Sequence, residues 1–121
     1  MDKIALGKLT ESLACEHLQT QGLKLKESNY RCKQGEIDLV MQDGHTLVFV
    51  EVRYRKSQQY GTAAESIDRR KQNKLLLCAK HYLSTHKKLN HACRFDVISM
   101  NGPLHTVNID WIPDAFISPS N

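Results

Sequence analysis

Between Gly35 and Arg55 the chain holds two alternating apolar runs, GEIDLVMQ and HTLVFVEVRYR, parted by Asp43-Gly44. An Asp-Gly step between such runs is a strong hairpin signal, because glycine supplies the positive φ that tight hairpin turns need. With Asp43 and Gly44 as the turn, Glu36 falls opposite Glu51, Asp38 opposite Phe49 and Val40 opposite Leu47. Successive side chains on a strand point to opposite faces. One face therefore carries Ile37, Leu39 and Met41 with Val48, Val50 and Val52, all apolar. The other carries Val40, Leu47 and Phe49 near the turn, and Glu36, Asp38, Glu51 and Arg53 at the open end.

Three carboxylates at one end of a strand pair are costly unless something offsets them. Directly opposed residues have Cβ atoms about 5 Å apart. Two like charges at that separation repel by about 3 kcal/mol at an effective dielectric near 20. The repulsion is relieved by a proton, by Arg53, or by a divalent cation. Carboxylate oxygens completed by water and phosphate oxygens suit Mg²⁺ or Mn²⁺. Neutralisation by Arg53 and nearby lysines is the competing structural account.

Around the hairpin, residues 5–21 read as a helix ended by Gly22, at a C′ position that favours positive φ. Its apolar side chains form two stripes, Leu6, Leu9 and Leu13, and Ala14, Cys15 and Leu18, with Glu11 beside the second. Residues 23–31 form a weakly signalled strand. A loop over 56–62 leads to a second helix over about 63–86. Residues 92–100 and 104–112 read as two more strands about an Asn101-Gly102-Pro103 turn, followed by a short cap that ends in Phe116 and Ile117. The order α-β-β-β-α-β-β predicts an α/β fold, a mixed sheet with helices packed on it.

The 121 residues, 40% hydrophobic and 25% charged, suit one globular domain. No apolar run approaches the roughly 20 residues of a membrane span, and the first residues lack a signal-peptide core. A cytoplasmic protein is expected. Cys15, Cys32, Cys78 and Cys93 are widely spaced, without a CxxC pair, and read as reduced, partly buried thiols. The six histidines form no metal-binding pair and read as surface or packing residues.

Charge is unevenly placed. From Arg53 to Lys88 there are ten Lys/Arg against two acids, whereas the rest of the chain is net acidic. A basic block inside a folded domain suits a polyanion, although a solvated helix face has the same composition. Within the second helix, Lys71 falls in the middle of the apolar stripe of Ala64, Ile67, Leu75, Cys78, Ala79 and Tyr82. It either snorkels to water or reaches the carboxylates.

The run Gly35-Glu36-Ile37-Asp38-Leu39, then Phe49-Val50-Glu51-Val52-Arg53-Tyr54-Arg55, Tyr60-Gly61, Lys71 and Arg94-Phe95-Asp96-Val97-Ile98 resembles the YraN family. That family belongs to the restriction-endonuclease-like PD-(D/E)xK nucleases. The resemblance spans nearly the whole chain, from Gly7 and Glu11 to Trp111 and Phe116. It implies an α-β-β-β-α-β core similar to that of archaeal Holliday-junction resolvases. It also implies Asp38 and Glu51 as metal ligands, with the Val52 carbonyl and Glu11 nearby and Glu36 close. One position departs from the pattern: Arg53 stands where the superfamily motif ends in lysine. Arginine stays protonated and cannot act as a base, but it can hold a phosphate and stabilise charge on phosphorus. Lysine migration occurs in the superfamily, and Lys71 is placed to substitute.

The leading reading is a metal-dependent endonuclease acting on DNA. Asp38, Glu51, Arg53 and Lys71 are its candidate catalytic residues, and Asp38, Glu51, Glu11 and Glu36 its candidate Mg²⁺ or Mn²⁺ ligands. Arg55, Lys56, Arg69, Arg70 and Lys74 would grip flanking phosphates. Such contacts position without reading sequence, so structure-selective binding is expected, and a homodimer suits cutting of both strands. The alternative is a nucleic-acid-binding module on a nuclease scaffold, for which Arg53 argues. Hydrolysis of a small phosphorylated metabolite would leave the basic block unexplained.

Overall fold

The computed structural model describes residues 1–56 and 67–116. Its elements run α1 (Lys3–Thr20), β1 (Lys24–Cys32), β2 (Gly35–Asp43), β3 (Thr46–Arg55), α2 (Arg69–Thr85), β4 (Cys93–Asn101), a 3-10 turn (Leu104–Thr106) and β5 (Asn108–Ile112). The five strands form one sheet in the order β1-β2-β3-β4-β5. β3 and β4 are parallel and the other neighbours antiparallel. A parallel pair needs a crossover connection, and α2 lies in it. This is an α/β fold in the α-β-β-β-α-β order of a restriction-endonuclease-like core, with β5 appended. No helix among the described residues is long and apolar enough to cross a membrane.

The two helices cover opposite faces of the sheet. Ala14, Leu18 and Leu23 pack with Leu39, Met41, Val48, Val50, Ile98 and Met100. Leu75, Cys78, Ala79, Tyr82 and Leu83 pack with Val40, Leu47, Phe49, Phe95 and Val97. β3 is therefore buried on both sides from Leu47 to Glu51, which accounts for its nearly unbroken apolar sequence. Fully burying a side chain the size of Leu18 or Phe49 contributes about 2–3 kcal/mol.

Local chemistry sets the element ends. The Asp2 side chain caps α1 by accepting from the Ala5 N–H, so the helix begins two residues before the expected start at residue 5. It ends as anticipated at Gly22, whose φ is +97°. The Gly22 N–H donates to the Gln19 carbonyl and the Leu23 N–H to that of Leu18, and Leu18 and Leu23 share the core, a Schellman closure. In α2 the Asp68 carboxylate accepts from the Lys71 N–H and fixes the start at Arg69. The helix expected over 63–86 is thus shorter at its described end, and residues 63–66 and Tyr60-Gly61 lie outside the described residues. The strand expected over 104–112 is shorter too, because the 3-10 turn occupies Leu104–Thr106.

The hairpin forms with its turn one residue later than the Asp-Gly reading. Leu39 pairs with Val50, Val40 with Phe49 and Asp43 with Thr46, so Gly44 and His45 are the central residues. Gly44 takes φ +60° and His45 does not take positive φ, the II′ pattern that puts glycine first. The offset is two residues in register and preserves which side chains share a face. The expected pairings of Glu36 with Glu51 and Asp38 with Phe49 are replaced: extending the observed register sets Asp38 abreast of Glu51. Ile37 also departs from expectation. It packs under α2 with Tyr30, Val40 and Phe49 rather than with Leu39 and Met41. Alternation is broken at Asp38, and opposite it in β1 stands Asn29, at φ +52°.

At β4 the fully buried Asp96 collects Arg94 Nε (3.0 Å), Trp111 Nε1 (2.9 Å) and the Asp114 N–H (2.9 Å), while Arg94 also reaches Asp43 (3.1 Å). This network ties β4, β5 and the β2–β3 turn together. Removing one partner of a buried ion pair leaves the other uncompensated, at a cost of about 3–5 kcal/mol. Asp96→Ala is expected to lower unfolding free energy by about that amount in urea denaturation. A decrease under about 1 kcal/mol would contradict the network's role.

Candidate active site

The β2–β3 ladder runs from Asp43–Thr46 to Leu39–Val50. Beyond that point each strand keeps only its outer neighbour. β2 stays with β1 to Gly35–Cys32, and β3 stays with β4 to Arg55–Asn101. A backbone N–H that leaves a ladder needs another acceptor. Here the Asp38 carboxylate supplies it: Oδ2 accepts from the Val52 N–H at 2.8 Å. Asp38 is thereby held in the fork beside the carboxylates of Glu51 and Glu11, with either of which it can share a proton.

Glu11 comes from α1 and Glu36 from β2. Asn29 joins them, its Nδ2 donating to one carboxylate oxygen of each at 2.8 Å. One oxygen from each of Glu11, Glu36 and Asp38 lies within 4.8 Å of the others, and all three residues are half-buried. Arg31 approaches Glu36 at 3.5 Å, but its side chain is 78% exposed, so water and salt screen most of that attraction.

Glu51 sits differently. It is 5% exposed, and its Oε2 has Lys71 Nζ at 3.4 Å and Arg53 at 3.5 Å. Lys71 thus reaches the carboxylates from the apolar stripe of α2, keeping its side chain 41% exposed. Of the four expected metal ligands, Glu11, Glu36 and Asp38 converge on one point, and Glu51 borders them through Asp38.

Protonation follows from this division. Burial, with the hydrogen bond and charge of Glu51, pushes Asp38 from the ordinary carboxylate range up to about 8. Burial also raises Glu11, with the nearby charges of Asp38 and Glu36 acting the same way and the Asn29 bond opposing. A carboxylate cluster held this way takes up either protons or a cation.

The expected phosphate-binding residues fall on the first turns of α2 and at the end of β3. Arg69 and Arg70 are exposed in the first turn of α2, and Lys74 is exposed one turn further on, its Cβ beside Gly35. Lys56 is exposed and Arg55 half-buried at the end of β3. A groove of 330 Å³ between α1 and β1 reaches one of the carboxylates, Glu11, and is lined by Lys8, Ser12, Cys15 and Ser28 with Asn29. A larger hollow of 590 Å³ lies at the far end of α2 from Lys71, and its lining holds no carboxylate.

Asn29 is the site residue that sequence reasoning missed. The available signal was Ser28-Asn29 inside a strand: asparagine is a poor strand former and one of the few residues that visits the left-handed region.

Residues 10–100 match the model of the family described as Uncharacterised protein family UPF0102. A UPF0102 protein of Stutzerimonas stutzeri (strain A1501) is 48% identical over 113 residues, covering 93% of this chain and 94% of the relative. A UPF0102 protein of Pseudomonas fluorescens (strain Pf0-1) is 50% identical over 113 residues, covering 93% and 92%. One from Nitrosococcus oceani is 47% identical over 111 residues, covering 91% and 90%. The matched span reaches from Glu11's helix to the end of β4, and with it this chain belongs to the UPF0102 family, the YraN family that its motifs resemble.

Proposed function

We propose that this protein is a divalent-metal-dependent endonuclease that hydrolyses phosphodiester bonds in branched or otherwise structured DNA. The observation that carries the reading is the convergence of Glu11, Glu36 and Asp38 oxygens within 4.8 Å, next to Glu51 and its two cationic neighbours. An all-oxygen donor set with net negative charge, partly open to water, fits Mg²⁺ or Mn²⁺. Glu11, Glu36 and Asp38 would hold the ion, with Glu51 beside them. When bound, it supplies Lewis acidity that lowers the pKa of water and offsets charge on the leaving oxygen.

The chain's own residues supply the rest. Arg53 Nε is buried and has no hydrogen-bond partner among the described residues; a phosphate oxygen in the fork would satisfy it. Lys71 stands across Glu51 with part of its side chain in water and would steady the same phosphate. Arg55, Lys56, Arg69, Arg70 and Lys74 would hold flanking phosphates, and the groove beside Glu11 has room for part of the strand. Cutting both strands calls for two such sites, one from each of two copies.

A nucleic-acid-binding module with lost catalysis is the second reading. The observation favouring it is that Glu51 is nearly buried between Arg53 and Lys71 and lies outside the three-carboxylate group.

Incubation with branched, flapped and linear DNA in Mg²⁺ or Mn²⁺ separates the two. Cleavage is expected, and Asp38→Asn or Glu51→Gln is expected to lower it on the order of 100-fold or more. Tight binding with no cutting in either metal would establish the module instead.

Asp38's folded pKa lies above its unfolded value, so its contribution to stability is complete below about pH 4 and is lost as pH rises through about 8. In chelator, wild type is therefore expected to lose stability against Asp38→Asn between pH 4 and 9, by on the order of a few kcal/mol. Mn²⁺ should restore much of it to wild type and none to the variant. A stability difference that stays flat with pH would contradict this account.

Replacing Arg69, Arg70 or Lys74 with alanine is expected to weaken DNA binding equally across sequences. Each cation withdrawn from a phosphate should flatten the slope of log affinity against log salt by about 0.9. An unchanged slope would remove that residue from the DNA-facing surface.

A further inference from the structure

We infer that Cys32 and Cys78 form a reversible oxidative modification site, closing a disulfide that ties the β1–β2 turn to α2. Cys32 is the last residue of β1, paired across the turn with Gly35, and is half-exposed. Cys78 faces the sheet from α2 and is fully buried. Its sulfur lies 3.6 Å from the Gly35 carbonyl and 3.9 Å from that of Tyr30, and Cys32 packs against the core cluster that holds Cys78. The turn and the helix thus bring the Cys78 sulfur against the backbone on either side of Cys32.

The two thiols are unequal in the way a peroxide-reactive pair requires. Burial acts to raise Cys32, but the hydrogen bond from Cys78 and the Gln34 and Gly35 backbone outweigh it and hold the thiol below its ordinary value. Burial and the Cys32 hydrogen bond push Cys78 up to about 12. An accessible, more acidic thiol attacks first, and a buried neighbour resolves it. Hydrogen peroxide supplies the oxidant. The Cys32 thiolate attacks one peroxide oxygen, the O–O bond breaks, and hydroxide leaves and takes a proton as water. Cys78 then attacks the Cys32 sulfur of the sulfenic acid, the S–O bond breaks, and the hydroxyl departs as a second water with the Cys78 proton. Two thiols are oxidised and one peroxide reduced.

The position gives the bond a consequence. Lys71 precedes Cys78 by two helical turns on the same face of α2, and the bridged turn leads directly into Glu36 and Asp38. Closing the bond therefore fixes the helix bearing Lys71 against the strand bearing Asp38. It requires no phosphodiester chemistry at the acidic cluster.

The test uses the full reduced chain treated with hydrogen peroxide, blocked with N-ethylmaleimide and digested. A linked Cys32–Cys78 peptide pair is expected, with an intact mass lower by two hydrogens and complete reversal by dithiothreitol. Before oxidation, iodoacetamide should alkylate Cys32 at least about 10-fold faster than Cys78. Cys32→Ser should leave Cys78 unmodified, and Cys78→Ala should leave a sulfenic acid at Cys32 that dimedone traps. Should Cys78→Ala fail to fold, the wild-type peptide map decides alone. A map without the linked pair overturns the assignment, whether Cys32 remains a thiol, proceeds to sulfinic acid, or oxidation instead joins two chains through the exposed Cys93.

Discussion

The hydrogen bond from the Val52 N–H to the Asp38 carboxylate organises this molecule's chemistry. Where β2 and β3 part, the backbone loses its ladder, and an unpaired N–H in a half-buried position is expensive. The Asp38 carboxyl oxygen fills the gap, and it can accept this N–H in either protonation state of the group. The same bond pins Asp38 against Glu51 and Glu11, so one anchoring contact both ends the strand pair and gathers the acids. Two helices complete the arrangement from opposite faces of the sheet, α1 bringing Glu11 and α2 bringing Lys71.

The parts of the fold that depend on alternation and punctuation were legible in the sequence. Gly22 ended α1, the Asp-Gly step located the hairpin, and the apolar stripe of α2 pointed Lys71 at the sheet. The register differs by two residues because both Asp-Gly and Gly-His are acceptable turn centres. Face assignments survived, since an offset of two restores the same parity. Ile37 was misplaced for a different reason. Alternation assumes an unbroken pleat, and it breaks at Asp38 and Asn29, where Asn29 bonds Glu36 of the neighbouring strand and Glu11 of α1, a residue distant in the chain. The Arg94–Asp96–Trp111 network was illegible for the same reason, as nothing local marks Asp96 as the acceptor for β5 and its tail.

Charge compensation is divided unevenly across the fork, and that division bears on the departure at Arg53. Glu51 has two cations near it, whereas Asp38 has backbone N–H and other carboxylates. Desolvation without compensation raises the pKa of a carboxyl group, which is the state of Asp38. A proton and a cation would compete for the same oxygens, so on the proposed metal-dependent reading binding of the ion would release the Asp38 proton.

Arg53 and Lys71 are close to Glu51 without being locked to it. Their distances of 3.5 and 3.4 Å exceed the 2.7–2.9 Å typical of a charge-assisted hydrogen bond, and Arg53 Nε–H is unpartnered among the described residues. A bidentate pair with Glu51 would occupy two of the guanidinium's five N–H donors. On the nuclease reading, the guanidinium would stabilise a phosphate brought close to Glu51. Arginine cannot deprotonate water there, so on the nuclease reading its contribution is electrostatic. Lys71, arriving on a separate helix, is then the second cation beside Glu51.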